Sequence, residues 1–269
     1  MQQIGFEGKF RTLFISDVHL GSRYCQPDAL RNLLQQISAE FIYIVGDFLD
    51  GWLLGSRWHW NAQYEQLIRE LLRLRRQGAT VSYLLGNHDR GLRPTLSKWG
   101  IFDVAEKLVH HCADGRRLLV MHGDQFDAVQ HRYARTARIA ATIHEGVLGG
   151  SHTLNGLLQS VGVQRKRFGT LLTSPIKQLV QFYSGAYQRK RHAVHAHACD
   201  GLVSGHTHSP GLHVDDACLL ANCGDWLEHC SCVVETYSGQ IELWSATPQQ
   251  WSAMRPQRRA LSPAGSDDS

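Results

Sequence analysis

The first 85 residues alternate between short apolar runs and amphipathic stretches, and this alternation constrains the fold more than any other feature. Three apolar runs have the length of buried strands, at residues 12–16, 41–45 and 79–85. The stretch after the first run opens with Pro27 and carries apolar residues at helical spacing as far as Ile37. The next stretch begins at Asn61, a residue type that caps helices, and stops near Gly78. This order predicts an α/β fold built on a parallel sheet.

The remaining sequence predicts more strands and one long helical insertion. Strands are expected at 116–121, 201–204, 212–220, 231–236 and 240–244. From about 125 to 198 the pattern becomes helical, with apolar helix candidates at 154–161 and 171–182. We expect one domain over residues 1–252 that includes this helical cap. The polar tail over 253–269, which contains Pro and Gly, is expected to be disordered.

Five short polar motifs directly follow predicted strands or lie in turns between them. They are Asp17-Val18-His19, Gly46-Asp47-Phe48-Leu49-Asp50, Gly86-Asn87-His88-Asp89, His122-Gly123-Asp124 and Gly205-His206-Thr207-His208. Ligands of open α/β sheets bind at the carboxyl ends of the strands, so these side chains are expected at one edge. Alternate residues of an extended segment point the same way. Within a motif, Asp17 can therefore converge with His19, and His206 with His208.

The motifs hold more metal-binding side chains than one ion needs. The chain has 16 His, and the candidate ligands combine four of them with two Asp and one Asn: Asp17, His19, Asp47, Asn87, His122, His206 and His208. A tetrahedral zinc takes four ligands, so seven suit two ions about 3.5–4 Å apart that share one carboxylate. Mixed carboxylate and imidazole ligands without thiolates favour Mn, Fe or Zn over Ca.

The five motifs and their order resemble those of the calcineurin-like metallophosphoesterase superfamily. They read D-x-H, G-D-x-x-D, G-N-H-D, H-G-D and G-H-T-H. The resemblance spans residues 17–208 and implies a two-sheet β-sandwich flanked by helices, with a two-metal centre. It implies one ion held by Asp17, His19, Asp47 and His208. It implies a second ion, bridged by Asp47, on Asn87, His122 and His206.

The same resemblance assigns catalysis to the G-N-H-D motif. The catalytic residues that it implies are His88 and Asp89. His88 would donate a proton or stabilise the transition state, and Asp89 and Asp50 would hold the site residues in place without binding the ions themselves. A water between two divalent ions ionises near neutral pH and can attack phosphorus in line. The ions and His88 would stabilise the charge on the phosphoryl oxygens and the leaving group. A non-catalytic scaffold of the same fold is the alternative, although every motif position is filled here.

The insertion before His206 bears on the substrate. A helical cap of this length resembles that of the UDP-2,3-diacylglucosamine diphosphatases of lipid A synthesis, which cleave the pyrophosphate of an acylated UDP-sugar and use Mn²⁺. Local matches to that group are Ser16-Asp17-Val18-His19-Leu20-Gly21, Asp50-Gly51-Trp52 and Asn222-Cys223-Gly224-Asp225-Trp226. The best-known branch has Arg in place of His88. Another nucleotide-sugar or a phospholipid-like diester is therefore an alternative substrate.

The cap also holds the net positive charge of the chain. Residues 125–200 contain ten Lys and Arg against three acidic residues, while the rest of the chain is net negative. The clusters at 165–167 and 189–192 can attract a diphosphate or anionic lipid headgroups, so peripheral contact with the inner membrane is a hypothesis. Solvated charges over packed apolar stripes are an equal alternative. Without aromatic interleaving, nucleic acid is not expected.

Other features predict location and packing. The start of the chain lacks a secretory pattern, no apolar run is long enough to span a membrane, and the seven Cys are an odd number. A cytoplasmic protein with free thiols is expected, including the group at 223–232. His110 and His111 are expected at the surface. Trp52, Trp58 and Trp60 are expected either to wall the site or, more commonly for aromatics, to join the core.

Overall fold

The computed structural model describes residues 8–54, 58–126, 186–214, 218–247 and 250–254. These residues form two β-sheets packed face to face, with helices on the outer faces of both. This is the α/β metallophosphoesterase architecture that the motifs implied.

The strands are, in chain order, β1 (Gly8–Ile15), β2 (Ile37–Val45), β3 (Thr80–Leu84), β4 (Asp103–Ala105), β5 (Lys107–His111), β6 (Arg117–Met121), β7 (Gly201–Ser204), β8 (Gly211–Val214), β9 (Leu219–Asn222), β10 (Ser231–Glu235), β11 (Ile241–Thr247) and β12 (Gln250–Met254). The helices are α1 (Pro27–Gln36), α2 (Ala62–Arg76), α3 (Arg93–Trp99) and α4 (Ala186–Ala196). Short 3₁₀ turns cover Gly51–Leu53, Arg90–Leu92 and Asp124–Phe126.

Both sheets are mixed, and their parallel strands set the position of the site. The seven-stranded sheet has the order β12-β11-β10-β1-β2-β3-β4, in which β1 to β4 run parallel. The five-stranded sheet has the order β5-β6-β7-β9-β8, in which β6, β7 and β9 run parallel. Residues that follow β1, β2 and β3 therefore share one edge, and those that follow β6, β7 and β9 share another.

Alternation along the strands divides the core into layers. In β1, Leu13 and Ile15 pack with α1 and α2, whereas Phe14 faces the second sheet and packs in one cluster with Val120 and Val203 of that sheet. Successive strand side chains point to opposite faces, so every central strand needs apolar residues on both sides. A third apolar cluster covers the outer face of the five-stranded sheet, where Val194 of α4 contacts residues of β6 and β7.

The helices of the first half follow the sequence signals with one correction. The side chain of Asn61 accepts a hydrogen bond from the backbone N–H of Tyr64, which confirms the predicted cap of α2. Helix α1 ends at Gln36, so the expectation that Ile37 belongs to its apolar stripe is wrong. Ile37 opens β2 and pairs with Gly8, and its burial comes from the sheet rather than from the helix.

Other differences concern short elements and the cap. The strand expected at 212–220 is two antiparallel strands, β8 and β9. The sequence did not predict α3, β4, β5 as a separate strand, or β12, which runs to Met254. Of the cap, α4 is described, and the two apolar helix candidates at 154–161 and 171–182 lie outside the described residues. Among the described residues no helix has the length and apolar character needed to cross a membrane.

Candidate metal centre

Every predicted ligand is described, and each lies just beyond the carboxyl end of a strand. Asp17 and His19 follow β1, Asp47 follows β2, and Asn87 follows β3 in the seven-stranded sheet. His122 follows β6, and His206 and His208 follow β7 in the five-stranded sheet. The site lies where these two sets of strand ends meet.

One group of ligand atoms surrounds Asp17. Its Oδ1 lies 3.2 Å from Nε2 of His208 and 3.8 Å from Nε2 of His19. The Nε2 atoms of His19 and His208 are 3.4 Å apart. One atom from each of the three side chains therefore lies within 4.8 Å of the others. Three donor atoms aimed at one point is an arrangement that a cation can occupy.

A second group surrounds Asp47. Its Oδ2 lies 3.1 Å from Nε2 of His122, and donor atoms of Asp17, Asp47 and His122 lie within 4.8 Å of one another. The ring of His206 meets that of His122 with centroids 5.3 Å apart. Asp47 also lies within the same limit of His19 and His88. Asp47 thus stands between the two groups, in the position that a bridging ligand needs.

Asn87 reaches this region through a tightly packed turn. The backbone N–H of His88 donates to Oδ1 of Asp47 at 2.8 Å. A Cβ at Gly86 would collide with the same carboxylate oxygen, so only glycine lets the turn come this close. Asn87 lies between these two contacts, and its Oδ1 is buried without a hydrogen-bond partner among the described residues.

The backbone at the centre is strained. Five candidate ligands adopt the left-handed conformation, with φ from 51° to 70°: Asp17, His19, Asp47, His206 and His208. Such a conformation costs a non-glycine residue about 1–3 kcal/mol and persists where the surroundings fix it, often at functional sites. In the described part of the chain, only Ala198 and Cys230 share it among non-glycine residues.

Several buried donor atoms are left for an ion to satisfy. Three buried atoms form no hydrogen bond within the described residues: Oδ1 of Asp17, Oδ1 of Asn87 and Nε2 of His122. Two of them have only an ion-pair contact, Asp17 with His208 at 3.2 Å and His122 with Asp47 at 3.1 Å. Leaving a buried polar atom unpaired costs about 1–3 kcal/mol, so three in one place need an explanation. All three are atoms through which Asp, Asn and His bind divalent cations. The donor set therefore fits the metals that the motifs implied.

The charges at the centre are arranged for cations. Burial alone would raise the pKa of Asp17, but the charges of His208 and His122 hold it well below its usual range. Burial likewise opposes the shift at Asp47, whose pKa is lowered mainly by His122 and His88. Burial would lower the pKa of His122, yet Asp47 and Asp17 raise it to about 10. The buried carboxylates of this centre are therefore held anionic, which favours cations.

His88 faces the centre with its Nε2, which lies 4.0 Å from Oδ2 of Asp47. Its Nδ1 is 2.8 Å from Oδ1 of Asp50. The other oxygen of Asp50 lies 3.3 Å from Nδ1 of His19, so one carboxylate connects both imidazoles. Burial would raise the pKa of Asp50, but hydrogen bonds from His19 and His88 lower it, which keeps the carboxylate anionic.

Asp89 contacts the loops that carry Asp47 and Asn87. It is fully buried, and it accepts hydrogen bonds from the backbone of Gly86 and Phe48 and from the hydroxyl of Tyr83. Burial and the charge of Asp47 raise its pKa to about 6. Its hydrogen bonds connect the loops after β2 and β3, whereas Asp50 makes the bond to His88.

The structure adds Asp225 to the site. Its Oδ2 lies 3.9 Å from Nδ1 of His208 and 2.6 Å from Nδ1 of His229, while Oδ1 accepts three backbone N–H groups. The backbone N–H of Trp226 donates to the carbonyl of Asp17. The sequence contained a signal for this residue. Asp225 lies in a polar motif shortly after β9, just as the other motifs follow their strands, and β9 pairs with β7.

The remaining predictions concern the cysteines, two histidines and three tryptophans. All seven cysteines are free and buried, as predicted for thiols. His111 is exposed, but the expectation that His110 is at the surface is wrong, because its side chain is buried between the sheets. Of the three tryptophans, Trp58 packs partly against the core, and Trp60 is exposed. Trp52 is half-buried and stacks on His88, so it walls the site.

Comparison with known proteins agrees with this geometry. Residues 10–210 match the family of calcineurin-like phosphoesterases. A protein named UDP-2,3-diacylglucosamine hydrolase from Vibrio cholerae is 27% identical over 237 residues, which cover 83% of this chain and 93% of the relative. Proteins of the same name from Pectobacterium carotovorum and Haemophilus ducreyi are 24% and 25% identical, over 76% and 79% of this chain and 85% and 90% of theirs.

Solved structures with a similar fold are more distant. Vps29 from Cryptosporidium parvum is 14% identical with a TM-score of 0.46, over 90% of this chain and 94% of that one. A Vps29 variant from Entamoeba histolytica is 15% identical with a TM-score of 0.45, over 90% of this chain and 96% of that one. Likenesses this low carry no weight for function. With its five motifs gathered at one centre and three quarters of its length matched, the chain belongs to the calcineurin-like phosphoesterases, and it is a metal-dependent phosphoesterase.

Proposed function

We propose that this protein hydrolyses the pyrophosphate of UDP-2,3-diacylglucosamine to UMP and 2,3-diacylglucosamine 1-phosphate. The observation that carries the proposal is the likeness, over 83% of the chain, to a relative named UDP-2,3-diacylglucosamine hydrolase. The buried donor atoms at the strand ends support the chemistry. Hydrolysis of a phosphoanhydride places negative charge on the phosphoryl oxygens, and fixed positive charge beside them lowers the barrier.

Two divalent ions fit the donor set. We assign one to Asp17, His19, Asp47 and His208, and the other to Asp47, Asn87, His122 and His206. When bound, the ions would supply a water of lowered pKa and positive charge next to the phosphoryl oxygens. Manganese is the proposed metal, with iron and zinc as alternatives, because all three accept mixed carboxylate and imidazole ligands.

His88 is proposed as the proton donor to the leaving group. Its Nδ1 is held by the anionic Asp50, so the proton to be delivered is on Nε2, the atom that faces the centre. As the oxygen of water bonds to phosphorus and loses a proton to solvent, the bridging P–O bond of the pyrophosphate breaks and the departing oxygen takes the proton of His88. Asp50 positions both His88 and His19 and is not proposed to exchange a proton itself.

The test is release of UMP by purified protein that has been stripped with a chelator and reloaded with Mn²⁺. The diacylated UDP-sugar should be turned over, whereas UDP-N-acetylglucosamine, which carries a single acetyl group instead of two long acyl chains, should be a poor substrate. Turnover of an aryl phosphodiester without release of UMP would reject this substrate and retain the phosphoesterase chemistry. No turnover of any ester with Mn²⁺, Fe²⁺ or Zn²⁺ would favour the non-catalytic scaffold.

A second substrate class is favoured by one residue. His88 stands where the best-known diphosphatases have Arg, so another nucleotide-sugar or a phospholipid-like diester is the competing candidate. Comparing kcat/KM for the diacylated UDP-sugar with that for a lysophospholipid aryl diester would rank the two. A higher value for the lipid diester would replace the first proposal with this one.

We also propose that the protein works in the cytoplasm, in peripheral contact with the inner membrane through its basic cap. In α4, Arg189 is already engaged, because its guanidinium donates to the carbonyl of Phe126 at 3.0 and 2.6 Å. The cluster at 165–167 lies outside the described residues. Binding to vesicles of anionic lipid, weakened by salt, would support the contact. Equal binding to neutral vesicles would count against a role for the basic residues.

A further inference from the structure

Three consecutive residues after β2 enclose His88. The carboxylate of Asp50 lies 2.8 Å from Nδ1 of its ring. A Cβ at Gly51 would come within 2.5 Å of the backbone carbonyl of His88, so a side chain there would push the segment away. The ring of Trp52 stacks on the imidazole, with centroids 3.7 Å apart and planes inclined by 22°.

A second ring and a backbone contact also constrain His88. The ring of His19 meets it edge to face, with centroids 4.6 Å apart and an interplanar angle of 88°. The backbone N–H of His88 is held by Asp47. Among the ring nitrogens, Nε2 is the one that faces the metal centre, 4.0 Å from Asp47.

A hydrogen bond at Nδ1 does not fix the plane of the ring. The second side-chain torsion of histidine has a broad energy profile, so an imidazole bonded at one nitrogen can still rock. Asp50 also divides its two oxygens between His88 and His19. Stacking against a broad indole constrains the plane, because rocking would break the face-to-face contact. The position of Nε2 therefore depends on Trp52 as well as on Asp50.

We propose that Trp52 is a positioning residue that holds the imidazole of His88 so that Nε2 points at the leaving group. The proposal rests on the proposed role of His88 as proton donor. It predicts a selective defect, because a misplaced donor slows reactions whose leaving group needs a proton far more than those whose leaving group departs as an anion. A wall that only binds substrate would change KM, and a purely structural residue would affect all substrates alike.

The experiment compares Trp52→Leu and Trp52→Phe with Trp99→Leu, a control at the half-exposed tryptophan that ends α3. Each Mn²⁺-loaded variant is assayed on the nitrophenyl and the ethyl ester of UMP, whose leaving groups are good and poor. Trp52→Leu should lower kcat on the ethyl ester on the order of ten- to a hundredfold, the cost of a small misplacement of a catalytic group. On the nitrophenyl ester kcat should fall less than about threefold, with KM unchanged on both. Trp52→Phe should recover most of the loss, and Trp99→Leu should match the wild type.

A readout independent of activity is the ring-current shift of the His88 carbon-bound protons in the metal-free protein. It should be present in the wild type, smaller in Trp52→Phe and lost in Trp52→Leu. An equal loss of kcat on both esters, a change confined to KM, or an unchanged His88 signal in Trp52→Leu would overturn the proposal. Failure of the proposed function is distinguishable, because it would show as no turnover in the wild type while the stacked His88 signal persists.

Discussion

Two buried clusters of histidine and carboxylate lie in this protein, and they differ in how completely their atoms are paired. One is the candidate metal centre around Asp17 and Asp47. The other surrounds Glu235 of β10, between the two sheets, where donor atoms of His110, Cys112 and Glu235 also lie within 4.8 Å of one another. By composition alone, either is a possible metal site.

The carboxylate and the imidazole of the cluster at Glu235 are both hydrogen-bonded. Its carboxylate accepts from Arg11, from the hydroxyl of Thr12 at 2.6 Å and from the backbone of Ala113 at 2.7 Å. His110 bonds it at 2.8 Å and also contacts the hydroxyl of Tyr43 at 3.1 Å. The guanidinium of Arg11 already supplies the cation. Burial and the charge of Glu235 raise the pKa of the Cys112 thiol to about 12, so it is a poor metal ligand.

The contrast separates structure from function. The network at Glu235 ties β5 of one sheet to β1, β2 and β10 of the other, and its polar atoms satisfy each other. The centre at Asp47 has buried donor atoms that form no hydrogen bond within the described residues, and its backbone is strained, so a bound cation would complete it. A buried histidine–carboxylate cluster therefore indicates a metal site when its atoms lack partners rather than when they are merely close.

The largest expected effect is that of Asp47→Asn. The change removes the charge proposed to be shared by both ions, so metal content should fall and activity should drop to background. The loss should exceed the 10- to 100-fold typical of outer partners of metal ligands. Metal analysis and kcat/KM provide the measurement, with Asp114→Asn, a change at a surface ion pair, as the control. Unchanged metal content would refute the bridging assignment.

The next effect separates catalysis from metal binding within the same centre. His88→Ala should retain both ions and lose about 10²–10⁴-fold in kcat, the usual contribution of a positioned proton donor. The exposed His111 offers a control, and His111→Ala should leave both quantities unchanged. If His88→Ala lost both ions, its role would be that of a ligand, and the assignment as proton donor would be wrong.

The paired cluster should give the opposite result. Glu235→Gln keeps the shape of the side chain but removes the charge and one acceptor, so Arg11 and His110 lose partners in a buried position. We expect the free energy of unfolding to fall by about 1–3 kcal/mol, while metal content and kcat stay at wild-type values. Denaturant melts with Asp114→Asn as control provide the measurement. Loss of metal from Glu235→Gln would contradict the purely structural role of the cluster at Glu235.

The sequence predicted the candidate ligands better than their surroundings, for a physical reason. Asp17 and Asp47 follow neighbouring parallel strands that end at a common edge, so the sequence could forecast that they meet. His122 follows a strand of the second sheet, and its approach depends on how the two sheets pack. The partner of His88 depends on how the loop after β2 folds back, and spacing along the chain does not reveal that Asp50 rather than Asp89 makes the bond. The environment of His110 depends on Glu235, 125 residues away, so its burial had no local signal.

The smallest effect is a difference in acid sensitivity. Burial alone would raise the pKa of Glu235, but hydrogen bonds from His110, Thr12 and Ala113 lower it from 4.5 to about 2. The carboxylate binds its proton at a lower pH in the folded protein than in the unfolded chain. Its contribution to stability is therefore complete above about pH 4.5 and declines as the pH falls toward 2.

Glu235→Gln cannot titrate at this position, so its free energy of unfolding should fall less steeply than that of the wild type between pH 5 and pH 3. The two slopes should differ by less than about 1.4 kcal/mol per pH unit, the value for one proton. Urea melts of chelator-treated protein at several pH values would measure them. The other acidic groups are present in both proteins, so their titration cancels in the difference. Parallel slopes would mean that Glu235 is not held anionic by its partners, and they would contradict the hydrogen-bonded pairing inferred for this cluster.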